Sequence, residues 1–515
     1  MNIAGILAEH VDAQPDAPAI IECCGTTTFA QLEDRVCRAA SLLRGAGVAA
    51  GDAVLIFQPM SAELYVALLA VFRLGAVAMF LDPSAGRAHL EACCALQAPG
   101  ALIATAKAHL LRLWSPALRR IPHKFSIGPW VPGATRWRCR ERCEPLADLA
   151  PVTADTPALL TFTSGSTGRP KAAVRTHGFL IEQHRVLARS IVLEAGEVDL
   201  ATLPIFTLAN LASGVTSVIP EADLRRPGAI EPAPVLAQMR RHAITRCTAS
   251  PAFFERLLSA DQGELRALRK IHTGGAPVFP ALLTSLRRHA PEAIIEAVFG
   301  STEAEPIAHI EEREIAAEDR AAMLAGRGLL AGAPVSEIQL RILRPQWGTP
   351  LGPWTSRQLA AECLPAGEAG EIVVAGGHVL RGYLHGHGDE ETKIRIDDTV
   401  WHRTGDAGYL DARGRLWLLG RCAARITDAR GTLWPFTVEC AACALEGVQR
   451  AALVEVNGRR VLVLEAEGDN ARPVEQARTA LAWAQLDEVR LVSRIPLDKR
   501  HNAKVDYPTL REMLK

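Results

Sequence analysis

Apolar and polar positions change period repeatedly along this chain of 515 residues. Residues 32–46 carry apolar side chains at helical spacing, and the glycine-rich stretch 45–51 ends the pattern. Residues 52–57 form a short β-rich run, 62–74 return to helical spacing, and 77–81 are apolar and extended. This strand–helix–strand order predicts parallel sheet covered by helices, and a second alternation runs from 158 to 299. Between them, residues 130–151 are rich in Arg, Pro and Cys and are expected as a surface loop or linker. From 368 the texture shifts to short strands at 371–374, 408–410 and 415–419, separated by Gly and Asp turns, which predicts an antiparallel layer. After Gly420-Arg421 a last block has its own short strands and helices and is long enough for a small domain. The expected class is therefore α/β. A large domain, residues 1–420, combines mixed and parallel sheets, covering helices and a β-rich layer. A small α+β domain follows at residues 421–515. There is no internal repeat or low-complexity tract.

Composition narrows the picture. The longest apolar stretch, residues 64–81, is broken by Arg73 and Gly75, so a helix, a turn and a strand are expected there and no transmembrane segment. Hydrophobic residues make up 49%, which excludes a disordered chain. Lys plus Arg and Asp plus Glu number 57 each, a zero balance that argues against a dominant nucleic-acid or anionic-membrane partner. Only the basic loop 136–142 speaks for nucleic acid. The 12 cysteines are scattered, and Cys440-x-x-Cys443 has no second pair at zinc-site spacing. Met1 to Val11 has no basic start, and Glu9 interrupts its apolar run. A cytoplasmic setting with reduced thiols is expected.

The densest chemistry lies at residues 159–171, where an apolar strand runs into Thr163-Ser164-Gly165-Ser166-Thr167-Gly168-Arg169-Pro170-Lys171. Glycines let a backbone approach a polyphosphate, hydroxyls and N–H groups donate to its oxygens, and Lys171 supplies a compact positive charge. A Walker loop does not fit, because Pro170 precedes the lysine and Ala172 follows it. A flexible linker would not be fed by a buried strand.

These residues resemble the phosphate-loop signature of the acyl-adenylate-forming enzymes, which include acyl-CoA synthetases and peptide-synthetase adenylation domains. Further motifs follow in that superfamily's order. Thr273-Gly274-Gly275-Ala276-Pro277 resembles the segment that lines the adenine. Phe299-Gly300-Ser301-Thr302-Glu303 resembles the motif whose Thr contacts phosphate and whose Glu helps hold Mg²⁺, a cation that prefers carboxylate and phosphate oxygens. Thr404-Gly405-Asp406 resembles the ribose-binding motif. Gly420-Arg421 resembles the domain boundary whose Arg reaches ribose and phosphate. Asp498-Lys499-Arg500-His501-Asn502-Ala503-Lys504 resembles the segment whose final lysine closes over the active site. The resemblance implies ATP and Mg²⁺ as cofactors, a hydrophobic carboxylic acid as substrate, and acyl-AMP plus pyrophosphate as products. It gives Lys504, Glu303 and Thr302 catalytic roles and the small domain the role of a lid. Other enzymes of a lipid or natural-product pathway are implied partners. A nucleotide-binding protein without turnover is the alternative of another class, although every position tied to ATP chemistry is present.

Three features bear on the second step. Residues 199–207, 211–220, 302–307, 311–315 and 500–504 resemble the olefin-biosynthesis β-lactone synthetases, which adenylate a 2-alkyl-3-hydroxy fatty acid that then cyclises. A tethered nucleophile reacts at high effective molarity and needs no CoA. Ala423 stands where CoA ligases carry an Asp or Lys hinge, and residues 427–434 replace their Gly-rich pantetheine segment. Thr207 stands where many relatives place a His or aromatic residue beside the acyl pocket. Its apolar surroundings, residues 203–218, suit an acyl chain or plain core packing equally. Transfer to CoA or a carrier protein stays open. His177, His184 and His501 are bases by type, each expected as an ordinary surface or core residue.

Overall fold

The computed structural model describes residues 1–82, 85–164, 170–466, 472–497 and 504–515. Two compact units form: Met1–Glu221 with Gly377–Glu390, and Ala222–Gly376 with Glu391–Lys515.

The first unit is built on a seven-stranded sheet ordered Thr135–Arg136, His123–Ile127, Ala101–Thr105, Ala53–Phe57, Val77–Phe80, Pro157–Ser164 and Pro170–Thr176. All pairs are parallel except the last, which is an antiparallel hairpin. The central strand Ala53–Phe57 is buried throughout because both faces are covered. Val54 and Ile56 enter one core with Leu32, Val36 and Leu69, while Leu55 and Phe57 enter another with Leu90 and Leu118. The helix Phe29–Gly45 starts where Thr28 and Gln31 form a reciprocal cap. The 64–81 stretch divides as its punctuation predicts: helix Ala62–Arg73, Gly75 at φ +67°, strand Val77–Phe80. A second set of strands in this unit runs Gly25–Thr28, Pro18–Glu22, Thr216–Val218, Val198–Ala201.

The segment 130–151 is not a loose linker. Its 3-10 turn Trp137–Arg142 buries Trp137 and Arg140. Glu63 accepts from Trp137 Nε1 and Arg140 Nη2, both at 2.7 Å, and also pairs with Arg35. A composition rich in Arg and Pro gives no sign that one acid far away in sequence will draw it inward.

In the second unit nine strands run Ile338–Leu343, Gly370–Gly376, Thr399–Leu410, Leu416–Arg421, Leu329–Pro334, Ala304–Glu311, Ile294–Ser301, Lys270–Gly274 and Arg246–Ala249. The last two pairings are parallel and the others antiparallel, so the expected change of texture is real. After Arg421 come a hairpin, Ile426–Asp428 with Gly431–Leu433, and a sheet of Val448–Val456, Arg459–Ala466 and Glu488–Val492. Alternation sends Leu453, Leu462 and Leu464 to one face, with Val438 of helix Pro435–Ala442, and Val454, Val461 and Val463 to the other, with Leu510 of helix Tyr507–Leu514. Among the described residues no helix is long and apolar enough to cross a membrane.

The Glu63 anchor sets a test. Glu63→Ala strands the buried guanidinium of Arg140 and should lower stability by about 3 kcal/mol in urea unfolding. Arg225→Ala removes an exposed partner of Asp223 and should cost less than about 1 kcal/mol.

Candidate active site

In the second unit, Gly275, Ala276, Phe299, Gly300, Asp406, Arg421 and Lys504 line one cavity of about 370 Å³. Two parallel strands supply its floor. At the end of Lys270–Gly274, a Cβ on Gly274 would lie 2.5 Å from the carbonyl oxygen of Val298, so the neighbouring backbones meet only because the side chain is absent. Gly275 follows at φ +80°, a left-handed conformation, and turns the chain across the floor. The result is a flat backbone ledge beside Phe299. Gly300 is similarly crowded, with a Cβ at 3.1 Å from the Ala304 carbonyl. Ser301 pairs with Ala304, so Thr302 and Glu303 form the two-residue turn of that hairpin. Gly274, Thr302 and Glu303 are not wall residues of the cavity. Glu303 is linked to it through charge, because after Asp406, the larger cause, its carboxylate also raises the pKa of Arg421.

Asp406 and Arg421 face each other across antiparallel strands. Arg421 Nε stands 3.4 Å from Asp406 Oδ1, and Nη1 donates to the Thr404 carbonyl at 3.0 Å. Thr404 Oγ1 accepts from the Asp406 N–H and donates to the Ile372 carbonyl, which fixes the turn. Gly405 lies at φ +72° beneath Trp347, whose ring would be 2.9 Å from any Cβ there. Arg421 keeps about half of its side chain exposed and Asp406 about a fifth, so both can be reached by a ligand.

Lys504 enters from the chain's last segment, which is held on both sides. Leu497 and Val505 form a β-bridge, and the Asp506 N–H donates to the Pro496 carbonyl at 2.9 Å. Three residues beyond Lys504, the Tyr507 hydroxyl donates to Glu439 Oε1 at 2.7 Å, and the Leu453 N–H donates to the same oxygen at 2.9 Å. Glu439 lines the cavity yet is only 2% exposed. Desolvation pushes its pKa up to about 7, against the pull of those two hydrogen bonds. Sequence reasoning passed over Glu439 and Tyr507. A lone acid within the apolar run Pro435-Phe436-Thr437-Val438-Glu439-Cys440 is the signal that would have found the first. Also missed was buried His402, which meets Lys393 Nζ at 3.2 Å. Burial first, then that ammonium, push its pKa down to about 3, while the Glu303 charge opposes them.

The phosphate-loop signature belongs to the first unit. Its flanks form the antiparallel hairpin, with Thr163 opposite Lys171 and Ser164 opposite Pro170. Gly165, Ser166, Thr167 and Gly168 lie outside the described residues. Lys171 is 8% exposed, with Nζ 5.9 Å from the Tyr383 ring centroid. It runs alongside Gly388, where any Cβ would collide with the lysine stem. No local pattern announces this, because the partner segment returns from more than 200 residues along the chain.

Other candidates fall into the core. Thr207 is fully buried in helix Pro204–Leu211, where Phe206 and Ala209 pack on Leu187 and Ile191. His177 Nδ1 accepts from the Ile3 N–H, and burial drives its pKa to about 4. His184 meets the Ser213 hydroxyl at 3.0 Å. His501 lies outside the described residues. All twelve cysteines are free, and burial raises the Cys440 thiol to about 12. Among the described residues no group of three His, Cys, Asp or Glu side chains is placed to hold a metal.

A model of the AMP-binding enzyme family matches residues 7–384. An olefin beta-lactone synthetase of Stenotrophomonas maltophilia is 34% identical across 98% of this chain and 96% of its own. Among solved structures, an anthranilate CoA ligase in complex with anthranoyl-AMP superposes with a TM-score of 0.84 at 17% identity, covering 100% of this chain and 97% of its own. An ATP-bound enzyme of Rhodopseudomonas palustris, MatB, gives 0.82 at 22% identity, covering 100% and 99%. Both likenesses support the adenylate-forming fold.

Glu439 yields a pH prediction. An acid with a raised folded-state pKa binds more protons folded than unfolded between pH 4.5 and about 7. Its stabilising contribution is therefore full at low pH and is lost as pH rises through that window. Glu439→Gln keeps an acceptor at Oε1 and stays neutral. Its unfolding free energy should fall less than that of the wild type between pH 5 and pH 7.5, by up to about 3 kcal/mol.

Proposed function

We propose, on the premise that the chain belongs to the AMP-binding enzyme family, that it adenylates a hydrophobic 3-hydroxy acid and closes the product to a β-lactone. Membership makes it an AMP-forming acid ligase that uses ATP. The observation that carries the adenylation reading is the convergence of a glycine ledge, Asp406, Arg421 and Lys504 on one cavity.

The residues fit the nucleotide. Gly275 and Gly300 present backbone in the cavity wall, against which a planar base can lie. Asp406 offers a carboxylate to the ribose hydroxyls, and Arg421, tethered to it, offers a cation between ribose and phosphate. Lys171 and the loop before it are assigned to the phosphates. Glu303 is the carboxylate suited to Mg²⁺, a hard ion that supplies electrostatic relief to the reacting phosphates when bound.

In the first step a carboxylate oxygen attacks the α-phosphorus, the bond from that phosphorus to the bridging oxygen breaks, and pyrophosphate leaves. Two anions must meet, and negative charge grows on the bridging oxygen. Lys504 is assigned to neutralise both, at little reorganisation cost because its segment is pinned by Val505, Asp506 and Tyr507. In the second step the β-hydroxyl oxygen attacks the acyl carbon and passes its proton to water, while the bond from that carbon to the phosphate oxygen breaks and AMP departs with the electron pair. Full-length similarity to an olefin beta-lactone synthetase supports this closure, as does Ala423 at the hinge position. The small domain, residues 421–515, is proposed as the lid.

A second reading, transfer of the acyl group to CoA or a carrier protein, uses the same adenylate. Product analysis separates the two. With ATP, Mg²⁺ and a 3-hydroxy fatty acid, a β-lactone should form without CoA, and consumption of acid only after addition of CoA or carrier protein would sink the lactone reading. Lys504→Ala should slow acid-dependent ATP–pyrophosphate exchange by at least about 10²-fold, with ATP affinity changed little. Absence of exchange in the wild type with every acid tested would favour a binding protein without turnover.

A further inference from the structure

The zero net charge averages over a strong local asymmetry. Residues 92–140 contain eight Lys and Arg and no Asp or Glu. The same stretch holds four large hydrophobic side chains that stand in solvent: Leu110 at 58% exposure, Leu113 at 69%, Trp114 at 68% and Trp130 at 55%. Charge excess and exposed apolar surface coincide, and neither takes part in the chemistry proposed above.

The local geometry is a braced knob. The 3-10 helix Ala108–Leu113 runs into helix Pro116–Arg120, and Leu110, Leu113 and Trp114 have the spacing that brings side chains to one helical face. Arg119 donates from Nε to the Arg112 carbonyl and from Nη2 to the Leu113 carbonyl, folding the second helix back on the first. Arg112 Nη1 donates to the Pro132 carbonyl at 3.1 Å and ties in the turn that carries Trp130. Glu91, the acid packed against this segment, is engaged by the Ser115 hydroxyl and the Ala117 N–H. Lys107, Arg112, Arg119, Arg120 and Lys124 have no ion-pair partner among the described residues. The knob joins strands Ala101–Thr105 and His123–Ile127, toward one edge of the seven-stranded sheet, whereas the phosphate-loop hairpin forms the other edge.

Water is a poor environment for a cluster of Leu and Trp, and a rigid frame prevents its collapse. Trp and Leu ringed by Lys and Arg suit the boundary between lipid headgroups and acyl chains, where indoles rest and cationic heads reach phosphates. We propose that this face, Leu110, Leu113, Trp114 and Trp130 with Arg112, Arg119 and Arg120, docks the protein reversibly on an anionic lipid surface. A nucleic acid would use the cations and the indoles but gains nothing from the leucines. The docking inference stands independently of the lactone reading.

Sedimentation of the full chain with vesicles tests it. Partitioning should be at least about tenfold higher on vesicles of phosphatidylcholine with phosphatidylglycerol than on phosphatidylcholine alone, and should fall with added salt, since each cation near such a surface contributes about fivefold. Arg119→Glu combined with Arg120→Glu should lower it by at least about tenfold. Leu113→Ser combined with Trp114→Ser should weaken it comparably, and both variants should keep wild-type pyrophosphate exchange in vesicle-free solution, which verifies their folding. Equal partitioning on the two vesicle types, wild-type binding by the Leu113→Ser, Trp114→Ser variant, or capture by DNA or an acidic polypeptide that vesicles do not compete would each overturn the proposal.

Discussion

A charge withdrawn completely from water is tolerated only when its partners are in place, and in the second unit that condition is met at Arg403. Its side chain and that of Glu371 are both fully buried, joined by two bonds of 2.9 and 2.7 Å. Two further N–H groups donate to the carbonyls of Thr349 and Gln346, and the Trp347 ring lies 5.5 Å away. Removing either partner would leave a buried ion uncompensated. The pair therefore holds strand Thr399–Leu410 against Gly370–Gly376 in one register. From that register follow the position of Gly405 under Trp347, of Asp406 opposite Arg421, and of the chain's departure into its last block. Asp406 and Arg421 owe their meeting to an ion pair that is itself fully buried.

The site combines two further kinds of constraint. One is close approach: a Cβ at Gly274 would stand 2.5 Å from the Val298 carbonyl oxygen, so glycine lets the strand that ends beside the cavity pack against its neighbour. The other is convergence of placed charge. Arg421 is raised in pKa by Asp406 first and Glu303 as well, so it stays a cation at any working pH. Glu439, by contrast, is held near neutrality by desolvation and takes its Tyr507 bond without adding a full negative charge next to Lys504's segment.

Much of this organisation was legible in the residues. The two period changes located the parallel and antiparallel layers, because burial on two faces or one leaves different patterns along a strand. Gly75 divided the longest apolar stretch, as left-handed backbone favours glycine. The motif residues Gly275, Ala276, Phe299, Gly300, Asp406, Arg421 and Lys504, each set in a local signature, line one cavity. What was not legible depends on distant pairs. Trp137 and Arg140 turn inward because Glu63 waits for them, and Lys171 is buried because Tyr383 and Gly388 return to it. Neither partner leaves a mark on the local pattern.

By itself the sequence determined the α/β alternation and the family's motifs, since each is written in local spacing and side-chain chemistry. The tertiary structure alone decided which of those residues share a wall, that Glu439 and Tyr507 are hydrogen-bonded in the same cavity wall as Lys504, and that Leu110, Leu113, Trp114 and Trp130 stand exposed within a stretch free of acids. The physical reason is the same in each case. Desolvation, ion pairing and surface exposure are properties of neighbours in space, and a linear pattern records only neighbours along the chain.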